Sequence, residues 1–313
     1  MDNPQAAAPL LEPAPISGIQ PGGGICFSLE LAWGRARRAW LRRFRPGYVR
    51  AMQERRQGDC PNCPHDIIDG RDLKPFRNVC GFWFHPQDDT FAYRDRLRLA
   101  RPGLMEVVVF SLSLAILVLL SCLAAIYLHP IFYVLLAVVL VIWAFVLSFF
   151  RDPERLVHSD PRALVSPADG TVTHIDEVEE PDFPGGRAFR ISIFLSIFNV
   201  HVNRAPRAAR VARIRYFPGA FLDSSIRNEQ LWLDLEGDNG LQMRVKQISG
   251  AIARRIVCWL KTGDSVKTGE RFGMIKFGSR TEVFLPLGQK FDVRVRIGDK
   301  VHGGSTVLLQ FTE

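Results

Sequence analysis

The stretch LMEVVVFSLSLAILVLLSCLAAIYLHPIFYVLLAVVLVIWAFVLSFF, residues 104–150, decides how the rest of the chain is read. Residues 104–128 carry one charge, Glu106, close to one end. At about 1.5 Å rise per residue they are long enough for a helix to cross about 30 Å of hydrocarbon. His129-Pro130 breaks that helix, and residues 131–150 supply a second crossing with no charge at all. Two buried core helices of this length and apolarity would need a soluble shell larger than the 313 residues offer. A transmembrane helical hairpin is therefore expected over residues 101–150.

Downstream, from Asp152, the texture changes to short β-branched and aromatic runs split by Gly, Pro and Asp: TVTHIDEV, FRISIFLSIFNVHV, ARVARIRYF, LQMRVKQIS, RTEVFLP, KFDVRVRI and TVLLQF. Several alternate with period 2, and closely spaced turn signals separate them, which predicts a mainly β domain over residues 151–313. The spacing G-D-x-V-x-x-G occurs twice, at Gly263–Gly269 and Gly298–Gly304. It is a turn pattern of barrel-sandwich folds, so the fold class expected is mainly β, a barrel-sandwich-like catalytic domain preceded by the two-helix hairpin. Lipoyl and biotinyl carriers of that class need a lysine at a hairpin tip. The corresponding hairpin here reads Met274-Ile275-Lys276-Phe277-Gly278-Ser279-Arg280-Thr281, which argues against a carrier.

Upstream, residues 1–25 are rich in Pro, Gly and Ala without the apolar core of a signal peptide, and are expected to be a flexible tail. Residues 31–56 hold nine arginines against a single acid, Glu54, with Trp33, Trp40, Phe44 and Tyr48 among them. The net charge of +8 is concentrated there. Basic residues interleaved with interfacial aromatics ahead of an apolar hairpin fit an anionic lipid surface better than a nucleic acid duplex. The organisation expected is a tail and basic amphipathic segment over 1–57, a small Cys/His-containing segment over 58–100, the hairpin, and the β domain. Arg94, Arg96, Arg98 and Arg101 precede the hairpin and Arg151 and Arg155 follow it, which puts both outer ends on the cytoplasmic face of the cell membrane by the positive-inside rule. Six scattered cysteines, one inside the apolar run, suit a reducing compartment rather than a disulfide framework.

Four stretches of the β region resemble one family when taken together: Ser166-Pro167-Ala168-Asp169-Gly170, Phe198-Asn199-Val200-His201-Val202-Asn203-Arg204, Gln247–Gly250 with Ala253-Arg254-Arg255, and Arg271-Phe272-Gly273 through Phe277-Gly278-Ser279-Arg280. Each alone is a common turn or core pattern, but their order is similar to that of the short bacterial and archaeal phosphatidylserine decarboxylases. The resemblance implies a self-processing carboxy-lyase that cuts itself between Gly278 and Ser279 and turns Ser279 into a pyruvoyl group. By the same resemblance His201 is the base for Ser279, with Asp169 holding its imidazole as in a Ser-His-Asp triad. The pyruvoyl group would form a Schiff base with phosphatidylserine, releasing CO2 and phosphatidylethanolamine. The two fragments, 1–278 and 279–313, would stay together as a heterodimer, and a homo-oligomer is left open. Substrate candidates are Glu229, Arg254 and Arg255 together with Phe198, which stands where longer members carry a histidine. A related seryl lipid such as archaetidylserine is an alternative substrate, and a non-enzymatic membrane-tethered scaffold is the alternative of another class.

A second Gly-Ser, Gly304-Ser305-Thr306, is similar to the cleavage motif of the long branch. Cutting there would free hardly more than one strand, so it is read as a turn. In the part outside the resemblance, Cys60-Pro61-Asn62-Cys63, Cys80 and His85 form a candidate set for a structural zinc, with His65 as an alternative fourth ligand.

Overall fold

The computed structural model describes residues 12–219, 228–238, 240–250, 255–276 and 279–312. Its helices are α1 (Ile25–Phe44), α2 (Pro46–Arg55), α3 (Gly70–Leu73), α4 (Leu104–Tyr127) and α5 (Phe132–Phe149). The strands follow as β1 (Ala163–Val165), β2 (Gly170–Glu179), β3 (Arg187–Leu195), β4 (Val202–Arg204), β5 (Ala209–Phe217), β6 (Gln230–Glu236) and β7 (Gln242–Ser249). After them come β8 (Arg255–Cys258), β9 (Ser265–Val266), β10 (Arg271–Lys276), β11 (Ser279–Pro286), β12 (Phe291–Val293), β13 (Lys300–Val301) and β14 (Val307–Phe311). The chain is mainly β, as its alternating runs require.

An antiparallel eight-stranded sheet in the order β13-β2-β3-β11-β7-β6-β5-β9 curls into a half-barrel. Two three-stranded sheets, β1-β14-β12 and β4-β10-β8, accompany it. Register explains the core. Ile191, Val283, Val245 and Leu233 stand opposite one another across β3, β11, β7 and β6, and all four are buried. A row farther along, Ile193 and Leu231 flank Thr281 and Gln247. Asn203 serves both polar residues, donating to Thr281 Oγ1 at 3.1 Å and accepting from Gln247 Nε2 at 2.8 Å. The next residue on this face of β11 is Ser279. The inner surface thus passes from aliphatic to polar toward the end that holds the candidate nucleophile.

Both α4 and α5 are long and apolar enough to cross a membrane. They pack on each other as a hairpin, tied by Trp143 Nε1 donating to Ser111 Oγ at 3.0 Å. Their other faces expose Leu112, Ile116, Leu119, Val134 and Val141. Helices with that much outward aliphatic surface need an apolar solvent around them. At one end the hairpin plugs into the β domain: Val107, Phe149 and Phe150 share a buried cluster with Val202 of β4, Val257 of β8 and Met274 of β10. Glu106, the one charge of the first span, is buried there and pairs with Lys276 Nζ at the end of β10.

Removing one member of such a pair leaves an uncompensated buried charge. Glu106→Leu or Lys276→Met alone is expected to destabilise the protein by about 3–5 kcal/mol, whereas the double variant recovers most of the loss. Denaturant unfolding of the full chain in detergent, analysed as a double-mutant cycle, reads this directly.

Two expectations for the N-terminal region need correction. Residues 12–24 are not a free tail over the described part. Ala14 N donates to Tyr216 O at 2.8 Å, Cys258 N to Ile19 O at 2.8 Å, and Lys276 Nζ to Gln20 Oε1 at 2.7 Å. The Pro/Gly-rich composition excludes a core of its own, but backbone pairing with β5 and β8 needs none. Residues 1–11 lie outside the described part. The arginines of α1 are also not all turned to lipid: Arg37 pairs with Asp69, Arg38 with Asp72 at 3.1 Å, and Arg42 with Asp66 at 2.5 Å. These aspartates belong to the Cys/His-containing segment, which therefore packs on α1. Ile25, Leu29, Trp33, Trp40 and Phe44 remain exposed along one stripe of α1, a helix that packs against α4.

Candidate active site

Ser279 opens β11, the strand held between β3 and β7, opposite Leu195 on one side and Ser249 on the other. The residue is 2% exposed, and its Oγ finds no hydrogen-bond partner among the described residues. A buried hydroxyl in that state costs free energy, which nominates it for chemistry rather than for packing. Gly278, on the other side of the expected cut, lies outside the described residues.

His201 arrives at the same end of the domain by a short route. After Leu195 the chain turns through Ser196–Val200, with Asn199 Oδ1 accepting from Ser196 N at 2.9 Å, and enters β4 just after His201. The carbonyl of His201 accepts from Ile275 N at 3.2 Å, on the strand that leads to the Ser279 junction. Its ring is fully buried and lies 4.2 Å, centroid to centroid, from Phe149, the last residue of α5. Burial pushes the His201 pKa down to about 4; the Asn199 carbonyl opposes this and the Arg151 charge adds to it. Nδ1 donates to Asn199 O at 2.9 Å, so Nε2 carries the lone pair. The ring is a neutral base at physiological pH.

Asp169 is placed differently from the triad expectation. Its carboxylate accepts from Arg155 Nη2 at 2.5 Å, from Gly303 N at 2.8 Å and from His302 Nδ1 at 3.4 Å. The His201 nitrogen that a triad carboxylate would hold is instead bonded to the Asn199 carbonyl. Asp169 ties the Ser166–Gly170 loop to the turn at His302–Thr306, which contains the second Gly-Ser. Gly304 has φ +79° there, and its N donates to Ser166 O at 2.8 Å, so the motif is a turn that needs glycine's left-handed freedom.

A family model described as phosphatidylserine decarboxylase matches residues 142–309, more than half of the chain. A phosphatidylserine decarboxylase proenzyme of Rhodopirellula baltica is 40% identical over 250 residues, covering 77% of this chain and all of the relative. Proteins of the same description from Desulfotalea psychrophila and Geobacter sp. strain M21 are 49% and 44% identical over 172 and 212 residues. Those two matches cover 53% and 66% of this chain, and 79% and 95% of the relatives. The chain belongs to the phosphatidylserine decarboxylase family.

The remaining candidates are distributed unevenly in this family member. Glu229 is 1% exposed and accepts from Tyr216 OH at 3.0 Å, while its carbonyl accepts from Ser249 N at 2.9 Å, one strand from Ser279. Burial pushes its pKa up to about 7, against the opposing Tyr216 hydrogen bond and the Arg255 charge. Arg255 stands opposite Lys276 on β8, with its Nε beside Gly24 of the N-terminal strap. Arg254 lies outside the described residues. Phe198 is not in the core: it is 70% exposed, with its ring edge-on to Phe145 of α5 at 5.9 Å, beside the mouth of the hairpin. Two surface hollows of about 570 and 580 Å³ contain neither Ser279 nor His201.

In the N-terminal segment the structure gathers Cys60, Cys63 and Cys80, with every pair of sulfurs within 4.8 Å. His85 does not join them. Its ring packs against Trp83 at 4.8 Å, and that of His65 stacks on Phe76 at 3.7 Å. Aromatic neighbours outcompete a metal-binding role that spacing alone suggested.

Sequence reading missed Lys276, Asn199 O, Arg155 and His302. Lys276 had a signal: it is the one charge in Met274–Phe277, and Glu106 is the one charge in the first span. Two lone opposite charges in apolar runs are natural partners, since neither is buried alone cheaply.

Proposed function

We propose that this chain is the proenzyme of a phosphatidylserine decarboxylase that cuts itself between Gly278 and Ser279 and acts on phosphatidylserine at the cytoplasmic membrane face. The observation that carries the reading is the buried hydroxyl of Ser279, without a hydrogen-bond partner among the described residues, at the head of a strand clamped on both sides.

His201 Nε2 takes the Ser279 proton as Oγ attacks the Gly278 carbonyl carbon. The peptide C–N bond breaks, His201 returns the proton to the departing amine, and an ester links Oγ to Gly278. Loss of the Cα proton of residue 279 with cleavage of the Cβ–Oγ bond frees the Gly278 carboxylate. Water then replaces the nitrogen, released as ammonia, and a pyruvoyl group remains at position 279. The fit of that group rests on the same geometry: residue 279 is enclosed, and its strand is held by pairing with β3 and β7, which does not run through the 278–279 bond. Fragments 1–278 and 279–313 accordingly remain one heterodimer.

The pyruvoyl group supplies an electron sink for loss of the substrate's carboxylate. The protein's own residues supply the rest. The exposed Phe198 and the end of α5 seat the lipid. Glu229, which holds a proton through most of the acidic range, is better placed to return one than His201, which is neutral there. Glu229→Gln is therefore expected to leave the cut intact and to lower kcat by about 10²-fold or more, read as CO2 release from fully cut protein.

The proposal as a whole is tested with purified protein in mixed micelles containing phosphatidylserine with ester-linked or ether-linked tails. Release of CO2 with formation of the corresponding ethanolamine lipid is expected. Fully cut protein that releases no CO2 from either would overturn the activity, and preference for the ether lipid would move the substrate to the archaetidylserine type.

A further inference from the structure

The three thiols of the N-terminal segment form a preorganised metal site, and we propose that Cys60, Cys63 and Cys80 bind one zinc ion that staples this segment onto the catalytic domain. The geometry is specific. Sγ of Cys80 lies 3.6 Å from that of Cys63 and 3.9 Å from that of Cys60. Three thiolates about 2.3 Å from a tetrahedral zinc stand about 3.8 Å from one another, which these separations match. They are far longer than the about 2.05 Å of a disulfide.

The backbone around the sulfurs is built for the same purpose. Cys60 and Cys63 close a tight turn, with Cys63 N donating to Cys60 O at 3.1 Å and Asn62 left-handed at φ +56°. The Cys80 loop is held against that turn by reciprocal bonds between Gln57 and Trp83, 2.9 and 3.0 Å long. Gly81 makes the approach close enough, since a Cβ there would sit 2.0 Å from Asp59 O. Soft sulfur ligands in this arrangement select zinc over magnesium, calcium or manganese. Cys60 and Cys63 are only half-buried, which leaves water within reach of the fourth position.

The position of the site gives the metal its task. Between Cys63 and Cys80 the chain carries Pro75, whose carbonyl accepts from Ile19 N at 2.9 Å. It also carries Asn78, whose Nδ2 donates to Gly18 O at 3.0 Å and to Cys258 O at 3.3 Å. Through these bonds the thiol-bearing loops hold the strap of residues 12–24 on β8, beside Arg255, Glu229 and Lys276. The three thiols lose their protons as zinc binds, so removing the metal frees the loops to separate and loosens the strap.

The test is the metal content of the full-length protein, purified in detergent with reductant. About one zinc per chain is expected, and Cys60→Ser, Cys63→Ser and Cys80→Ser should each lower it by about tenfold or more. His85→Ala should keep it. Titration of the wild-type chain with a mercurial reagent should release zinc in step with thiol modification, which decides the matter even where a serine variant fails to fold. Stripping the metal should also speed hydrogen exchange at Ile19 and Cys258, while the cut at Ser279, completed earlier, stays as it was. Wild-type protein that takes up no zinc after dialysis against it, zinc that survives in the cysteine variants, or exchange unchanged by stripping would each overturn the proposal.

Discussion

Ser279→Ala is expected to leave every molecule as one uncut chain of 313 residues, with decarboxylation lost to background and thermal stability unchanged or slightly raised. The last clause separates chemistry from folding. In the wild type the Ser279 hydroxyl is buried and has no hydrogen-bond partner among the described residues, a state that costs about 1–3 kcal/mol. Alanine removes the polar group at the cost of only one heavy atom of volume, and the backbone of β11 remains paired with β3 and β7. A variant that is at least as stable and wholly uncut has lost a nucleophile and not a fold. Intact mass spectrometry reads both arms: wild type is expected to give fragments 1–278 and 279–313, the shorter lacking a free N-terminal amine. Ser305→Ala is the matched control. Its Gly-Ser lies in the turn that Gly304 opens, and it should be cut as the wild type is. A single full-length chain from the wild type, or cleavage in Ser279→Ala, would sink the assignment of the cut.

What was legible in the sequence depended on how local its cause is. The spans of α4 and α5 follow from composition over consecutive residues, and most strands from period-2 alternation, so both could be read directly. The Gly278-Ser279 context stood out against Gly304-Ser305 for a similar reason, since flanking residues carried the difference. Partnerships between separate segments of the chain were not legible. The pinning of residues 12–24 depends on edge groups of β5 and β8 that composition does not reveal. Arg37, Arg38 and Arg42 looked like a lipid-facing set because Asp66, Asp69 and Asp72, which neutralise them, lie in another segment. Asp169 was assigned by analogy to His201, yet a carboxylate goes to the strongest donors within reach, and those are Arg155 and the Gly303 amide. Spacing nominated His85 beside three correctly grouped cysteines, because it does not register that Trp83 offers the ring a competing surface.

His201→Ala is expected to slow the cut by about 10²–10⁴-fold, the usual contribution of a positioned base, without abolishing it as Ser279→Ala does. Purified precursor, followed over time as the ratio of whole to cut chain, gives the rate. The pH profile identifies the base. With its pKa near 4, the ring is neutral above about pH 5, so the wild-type rate should be flat from there to neutrality and fall as pH drops through 4. An ordinary surface histidine would lose its base form through about 6.5 instead. The tautomer is set by the Asn199 carbonyl on Nδ1, so Asp169→Asn should weaken the Ser166–Gly170 and His302–Thr306 contact while leaving the shape of this profile unchanged. A cut as slow in Asp169→Asn as in His201→Ala, with a displaced pH profile, would show that the carboxylate reaches the ring during the reaction. A cut unaffected in His201→Ala would remove the histidine from the chemistry altogether. Because the His201 ring packs against Phe149 at the end of α5, the same measurement in detergent and in reconstituted bilayers reports whether the membrane hairpin holds the base in place. A slower cut in detergent is the outcome expected of a site whose one wall is a transmembrane helix.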